Sequence, residues 1–196
     1  MFKKVISIAI ALVVSCSAYG QFSSDFEADG GGFSPTGDWE RGMPAGADGS
    51  ALGGFGGVEP FGGFSGDNVW GTILGGLHNP DTTSNLQQTF TLATPGTLTF
   101  YEWIESGATE FDMAAVFVNG VEEYLSDGDS LSMWREVSIG LPAGIVDIDF
   151  QFTTTAVVER VGWYIDDVAI SAVPEPSTIS LIGFAGLCLI GIHRRN

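Results

Sequence analysis

Apolar and polar residues alternate with a period of two along much of the second half of the chain. In the segment 146–152, Val146, Ile148, Phe150 and Phe152 occupy every second position and polar residues separate them. This spacing is typical of a strand that buries one face. Similar short segments occur at 88–92, 98–103, 114–118, 121–125, 134–139 and 162–170. Helical spacing is confined to the two ends, so the pattern predicts a series of half-buried β-strands.

Turn-forming residues separate these segments. They are Pro95-Gly96, Asn119-Gly120, Asp127-Gly128 and the stretch 142–144. An Asn-Gly pair between two strand-like segments favours a tight hairpin, because both residues tolerate positive φ. Short strands at this spacing predict an all-β domain with a jelly-roll β-sandwich fold.

A glycine-rich stretch precedes the strands. Residues 30–66 hold 14 glycines in 37 positions, without a collagen-like period. Gly-Gly-Phe recurs, ending at Phe33, Phe55 and Phe64. We interpret the stretch as a long, flexible surface loop that a few phenylalanines hold in place.

The N-terminus has the features of a secretory signal peptide. Lys3 and Lys4 precede an apolar stretch at 5–14, and small residues at Ala18 and Gly20 favour cleavage after residue 20. An alternative is a lipoprotein signal, since residues 13–16 resemble a lipobox in which Cys16 would be acylated. Both alternatives predict export.

The C-terminus has the order of a sorting signal. Pro174, Glu175 and Pro176 precede an apolar run at 179–192, and a basic end with Arg194 and Arg195 follows. Fourteen helical residues span about 21 Å, which is less than a hydrocarbon core of about 30 Å. The segment 173–196 therefore predicts transient rather than permanent membrane contact, with an ordinary tail-anchoring helix as the alternative.

This tail resembles the PEP-CTERM sorting signal, and Pro174, Glu175 and Pro176 carry the resemblance. Members of that family are processed by an exosortase-type membrane enzyme, in bacteria that secrete exopolysaccharide. The resemblance implies a cell-surface or extracellular location and a role in a biofilm matrix. It divides the chain into a signal peptide (1–20), a folded domain (21–172) and a sorting segment (173–196).

The folded domain is strongly acidic. Residues 21–173 contain 23 acidic residues and three arginines, which gives a formal charge of −20. Nucleic-acid binding depends on Lys and Arg, so this charge excludes a nucleic-acid partner. Both cysteines, Cys16 and Cys188, lie in the terminal segments, so the domain has neither a disulfide nor a thiolate metal site.

Scattered landmarks in the domain carry a second resemblance. They are the stretch 25–27, Trp39, the stretch 69–71, the segment 98–103, the stretch 118–120, Trp134 and the closing stretch 162–168. Together they resemble the MAM-like jelly rolls of bacterial choice-of-anchor surface proteins, a family name that implies no enzymatic activity. Such jelly rolls often hold a structural calcium between the first and last strands.

The oxygens that match such a calcium site belong to Glu27, Asp67 and Asp166, with Asp25, Asn68 and Asp167 as further candidates. Carboxylate and amide oxygens without His or Cys suit calcium. The alternative is that these carboxylates are solvated and cap turns.

Tryptophans are the candidates for polysaccharide binding, because an aromatic ring can stack on the C–H face of a sugar. Trp39 and Trp70 lie in loop-rich surroundings and are the predicted ligand-binding residues. Trp103 and Trp163 lie in strand-like segments and are expected in the core. Burial in the core is the alternative for every tryptophan.

Little in the sequence points to catalysis. His78 is the domain's one histidine, and the following Asn79-Pro80 predicts an exposed turn. Paired carboxylates, at 102 and 105 or at 122 and 123, are the residue type that glycoside hydrolysis needs. The sequence favours a non-enzymatic interaction domain, with a secreted carbohydrate-active enzyme as the alternative.

Overall fold

The structure, a computed structural model, describes residues 20–106, 111–126 and 132–172. All regular structure in these ranges is β, which confirms the predicted fold class. None of it is a helix long and apolar enough to span a membrane. The strands are β1 (Gly20–Ser24), β2 (Ser34–Pro35), β3 (Trp39–Gly42), β4 (Val69–Thr72), β5 (Thr83–Leu92), β6 (Gly96–Glu105), β7 (Met113–Val118), β8 (Val121–Leu125), β9 (Arg135–Leu141), β10 (Gly144–Thr153) and β11 (Gly162–Ala172).

The strands form two antiparallel sheets packed as a jelly-roll sandwich. Sheet A has the order β3-β4-β11-β6-β9, with β1 also paired to β11. Sheet B has the order β2-β5-β10-β7-β8. From β5 onwards the chain passes back and forth between the sheets, so most neighbouring strands are distant in sequence.

Strands β5 to β11 confirm all seven segments that the alternation predicted, and most are longer than predicted. The hairpin between β7 and β8 is also confirmed: Asn119 and Gly120 have φ of 52° and 77°. Positive φ at both central residues is the geometry of a type I′ turn. The sequence pattern missed β1 to β4, which are at most five residues long.

The core lies between the sheets and is rich in aromatic rings. Phe100 of β6 and Phe150 of β10 meet edge to face, with centroids 5.0 Å apart. Trp163 of β11 packs against Phe150 at 5.9 Å, and all three side chains are fully buried. Each such side chain contributes about 1.5–3 kcal/mol of burial free energy, which makes this layer the main source of stability.

One edge of β11 is shared by two strands. β4 pairs with Tyr164 and Ile165, and β1 pairs further along with residues 168–171. Between them β11 has a register shift at 166–169, where Asp167 has a φ of 49°. This irregularity turns Asp166 and Asp167 toward the loop that leads into β4.

The glycine-rich residues 43–68 form an ordered layer on the outer face of sheet A, which we call the glycine-rich cover. Bridges join Ala45 to Phe61 and Asp48 to Val58, and Glu59 is fully buried beneath it. The expectation of a flexible loop here is wrong, because a buried carboxylate and backbone hydrogen bonds organise the segment.

Candidate functional site

Trp39 and Trp70, the predicted sugar-binding residues, are buried. Their exposed fractions are 4% and 6%. Trp39 packs against Trp163, with ring centroids 5.4 Å apart, and the Trp70 indole donates a hydrogen bond to the Gly30 carbonyl at 3.1 Å. A buried indole cannot offer a face to a sugar, so the structure assigns both residues to the core and does not support the predicted role.

Glu27, Asp67 and Asp166, the predicted calcium ligands, surround one loop. Glu27 Oε1 accepts hydrogen bonds from the backbone N–H groups of Asp67 (2.8 Å) and Asn68 (2.6 Å). At the other end of the loop, Asp166 Oδ2 accepts one from the Ser65 N–H at 3.0 Å. The structure thus places all three residues near the junction of β1, β4 and β11.

The pKa values of the two carboxylates that hold this loop are shifted in opposite directions. Hydrogen bonding to the Asn68 N–H lowers the pKa of Glu27. Burial raises the pKa of Asp166 to about 6, although the Ser65 and Asp167 N–H groups act in the opposite direction. A carboxylate that accepts backbone N–H groups favours its charged form, and one removed from water disfavours it.

The carboxylates predicted as calcium ligands lie in the part of the chain that the structure describes. No three His, Cys, Asp or Glu side chains there form a group that could hold a metal ion. The carboxylate oxygens of Glu27 and Asp166 accept N–H groups of the loop. Calcium binding stays a prediction from the resemblance.

The remaining predicted residues at the termini lie outside the described residues. These are Cys16, the alternative lipidation site, and the sorting motif Pro174, Glu175 and Pro176. The signal peptide, apart from its last residue, and the segment 173–196 lie outside them as well.

A row of aromatic rings lies on the outer face of sheet A, at the border of the glycine-rich cover. Phe64 of the cover stacks on Tyr101 of β6, with centroids 3.5 Å apart and planes 7° apart. Trp134 contacts Phe64 edge to face at 6.5 Å and Trp103 at 6.0 Å. The sequence predicts Trp103 in the core, but it is only half-buried here because it points outward from β6. Phe64 is 45% exposed. We call these four residues the aromatic face.

Hydrogen bonds hold the aromatic face in place. The Trp103 indole donates to the Val58 carbonyl of the cover at 2.9 Å. Ser65, next to Phe64, donates its hydroxyl to Asp167 Oδ1 at 2.6 Å and its N–H to Asp166. The predicted calcium ligand Asp166 therefore helps to fix the backbone that carries Phe64.

A shallow cleft of about 480 Å³ adjoins the stacked pair. Tyr101, Ser23, Ser24, Asp25 and Asp167 line it, together with Val168 and Ala169. Carboxylate oxygens accept hydrogen bonds, and hydroxyls both donate and accept them. The aromatic face and this cleft together offer an apolar surface beside groups that bind hydroxyls, which is the chemistry that a sugar requires.

Part of this site is indicated by the amino-acid sequence. Phe64 ends one of the three Gly-Gly-Phe repeats, and Tyr101 and Trp103 alternate along β6. Their outward direction follows from the inward direction of Leu98 and Phe100. The stacking of Phe64 on Tyr101 joins residues 37 positions apart and has no sequence signature.

The candidate catalytic residues lie in structural positions. His78 is 1% exposed, so the expected exposed turn is wrong; its Nε2 accepts the Arg160 N–H at 3.1 Å. That bond requires an unprotonated Nε2, and we favour it over an ion pair with Asp112, whose Oδ2 lies 3.5 Å away. A buried imidazole in this role is not placed to act on a substrate.

The acid pair at 102 and 105 is divided between the two faces of sheet A. Glu102 points inward and accepts the Trp163 indole N–H at 3.0 Å. Glu105 points outward, against Gly57 of the cover, and accepts a hydrogen bond from the Ser132 hydroxyl. Glycoside hydrolysis needs two carboxyl groups that flank one bond, which this pair does not provide.

Comparison with solved structures places the domain among known jelly rolls. The K1 cleaved adhesin domain of Lys-gingipain from Porphyromonas gingivalis W83 is 16% identical, with a TM-score of 0.52; the match covers 78% of this chain and 98% of that one. The xylan-binding CBM22-1 domain of Xyn10C from Paenibacillus barcinonensis is 12% identical, with a TM-score of 0.50, and the match covers 81% and 97%. At these identities the likeness establishes the fold.

Comparison of sequences identifies the C-terminal segment. A family model described as the PEP-CTERM protein-sorting motif matches residues 172–195. No curated protein matches the sequence. The chain is an exported protein in which a PEP-CTERM sorting motif follows a jelly-roll domain with the fold of bacterial adhesin and carbohydrate-binding modules.

Proposed function

We propose that this protein is a non-enzymatic component of the cell surface or extracellular matrix, and that its jelly-roll domain binds polysaccharide. The aromatic face carries the proposal. Phe64 offers one exposed ring surface while its other surface rests on Tyr101, so the ring is fixed before a ligand arrives. A rigid ring loses little conformational freedom on binding, which favours affinity.

The charge of the domain selects the class of polysaccharide. Residues 21–173 carry a formal charge of −20, and Asp25 and Asp167 lie in the cleft beside Tyr101. Chains rich in uronic acid, sulfate or phosphate would be repelled. The proposed ligand is therefore a neutral polysaccharide, bound by stacking on the aromatic face and by hydrogen bonds from its hydroxyls to the cleft.

Substitution of the aromatic face tests this function. We expect Phe64→Ala and Trp134→Ala each to weaken binding of a neutral polysaccharide about tenfold, since one aromatic contact contributes about 0.5–1.5 kcal/mol. Affinity electrophoresis in gels that contain xylan, β-1,4-galactan or the host's own exopolysaccharide measures the change. Alginate, a polyanion, should not retard the protein.

Phe55→Ala is the matched control, because Phe55 lies in the same cover and is 67% exposed but is not part of the aromatic face. Equal losses of affinity in Phe55→Ala and Phe64→Ala would show that non-specific hydrophobic adsorption, and not the aromatic face, causes the retardation. If the gel retards Phe64→Ala as strongly as the wild type, the proposed site is contradicted.

The sorting motif predicts a processed C-terminus. We expect an exosortase-type enzyme to cleave the chain near Pro174, Glu175 and Pro176, and the mature domain to reach the cell surface. Intact-mass and terminal-peptide analysis of the protein from its native host tests this, with Glu175→Ala as the variant. A mature protein that keeps its tail and carries an acyl group on Cys16 would make it a lipoprotein and overturn this part of the proposal.

A further inference from the structure

The outer face of sheet B carries a row of polar side chains along its two central strands. β5 and β10 pair over ten residues, and every outward position of β5 is a threonine, asparagine or glutamine. The inward positions of β10 are Val146, Ile148, Phe150 and Phe152, all buried. Four of the five outward pairs are polar on both strands, the exception being the pair at Ile145; they are Gln87 with Asp149, Thr89 with Asp147, Asn85 with Gln151 and Thr83 with Thr153, and we call these four pairs the polar ladder.

The polar ladder lies along a groove of about 590 Å³. Gly32 and Ser34, from the segment around β2, form one wall, and residues 87–89 and 147–149 form the floor. This groove is larger than the cleft beside the aromatic face. The groove therefore gives this face a concave surface that is lined by the two strands of the ladder.

Cross-strand hydrogen bonds hold the polar ladder in fixed positions. Gln87 Nε2 donates to Asp149 Oδ2 at 2.9 Å, and Thr89 Oγ1 donates to Asp147 Oδ1 at 2.6 Å. Further along, Gln151 Nε2 donates to Asn85 Oδ1 at 3.0 Å. Side chains fixed in this way need not be ordered by a ligand, which lowers the cost of binding.

The ladder has one hydrogen-bond acceptor without a partner beside the groove. Asp149 lines the groove, and its buried Oδ1 has no hydrogen-bond donor among the described residues. Desolvation by burial also raises the pKa of Asp149, although its bond from Gln87 acts in the opposite direction. Acceptors that lack a donor favour a ligand rich in hydroxyl groups.

We propose that the polar ladder is a second polysaccharide-binding surface, and that the protein cross-links polysaccharide chains by holding one on each face. The inference rests on the proposed function. The aromatic face lies outside sheet A and the polar ladder outside sheet B, so the core separates them and one stretch of glycan cannot occupy both. The ladder binds through hydrogen bonds, whereas the aromatic face binds through stacking.

Stoichiometry and cross-linking test the inference. Titration calorimetry of the exported full chain with hexasaccharides from the host's exopolysaccharide should give two sites. Asp149→Asn combined with Gln87→Ala should remove one site and leave the other at wild-type affinity, and Phe64→Ala should weaken only the other site about tenfold. Turbidity with the intact polysaccharide should fall to background in the ladder variant and should fall partly in Phe64→Ala, because cross-linking needs both faces.

Folding is monitored separately by thermal unfolding. Asp149→Asn removes a partly buried carboxylate, so this single variant should unfold no earlier than the wild type and serves as the folded reference. One site in the wild type, lost in Phe64→Ala and unchanged in the ladder variant, would overturn the second surface and leave the proposed function standing. No binding at all in the wild type would overturn both.

Discussion

Replacing Glu102 by alanine is expected to destabilise the domain by about 1.5–3 kcal/mol, the typical contribution of hydrogen bonds to a buried charged group. The cost is smaller than for a fully buried ion pair, because the remaining Arg135 side chain is 31% exposed. Glu102 is fully buried, and its Oε1 accepts hydrogen bonds from Arg135 Nε at 2.9 Å and from the Tyr124 hydroxyl at 2.5 Å. Its Oε2 accepts the indole N–H of Trp163 at 3.0 Å. The substitution leaves the buried Trp163 indole N–H without its acceptor, while Arg135 still donates to the Tyr124 and Ser126 hydroxyls.

Chemical denaturation, followed by tryptophan fluorescence, measures this loss of unfolding free energy. Glu136→Ala is the control, because Glu136 is an exposed carboxylate adjacent to Arg135 in β9 and should change stability by less than about 0.5 kcal/mol. Glu102→Gln keeps an acceptor oxygen but loses the charge, so its loss of unfolding free energy should lie between those of Glu102→Ala and Glu136→Ala. A Glu102→Ala domain within about 1 kcal/mol of the wild type would show that Glu102 is not a stability determinant.

The strands that the sequence predicted correctly are those with period-two alternation. In β6 and β10, position alone decides which side chains enter the core, so the pattern can be read without knowledge of the partner strands. Glu102 of β6 is an exception, since this acidic side chain points inward among apolar residues. Its burial depends on Arg135, its cross-strand neighbour in β9, and only the sheet topology brings the two residues together.

The tryptophans show why loop residues resist sequence-based prediction. Trp39 and Trp70 stand in stretches without alternation, which suggested exposure. Each is buried by a distant contact: Gly30 lies on the Trp70 ring, 40 residues earlier in the chain, and Trp163 packs against Trp39. An added Cβ at Gly30 would approach the Trp70 ring to 2.9 Å, so this close packing requires glycine.

The calcium prediction illustrates a related limit. The residue types and their placement at the first and last strands are those that the resemblance implies, and the structure does bring Glu27 and Asp166 to one loop. What sequence cannot specify is where the carboxylate oxygens point. Here they accept backbone N–H groups of the loop that carries Phe64, so acids predicted to hold a metal also position part of the aromatic face.

The glycine-rich cover depends on a second buried acid, Glu59. Its Oε2 accepts the N–H groups of Ala45 (3.3 Å) and Ala47 (3.1 Å), and its Oε1 accepts the Gly75 N–H at 2.5 Å. The Tyr164 hydroxyl lies 3.0 Å from the same Oε1, and burial, followed by the charge of Glu59, raises the pKa of Tyr164. One side chain thus joins two parts of the cover to β11.

Glu59→Ala should therefore release the cover while the sandwich stays folded. Each hydrogen bond to a buried charged group contributes about 1.5–3 kcal/mol, so losing these acceptors should raise the population of the open cover by at least tenfold. Limited proteolysis should then cleave within residues 43–68 at least ten times faster. Polysaccharide affinity should fall in proportion to the fraction of closed cover that is lost, because Phe64 belongs to the cover.

Asp48→Ala removes an exposed carboxylate that accepts N–H groups only within one turn of the same segment, from Ser50 (2.9 Å) and Ala51 (3.4 Å). It should raise the cleavage rate much less than Glu59→Ala and leave the affinity near wild type. A Glu59→Ala protein no more sensitive to protease than Asp48→Ala would mean that the aromatic contacts alone hold the cover closed.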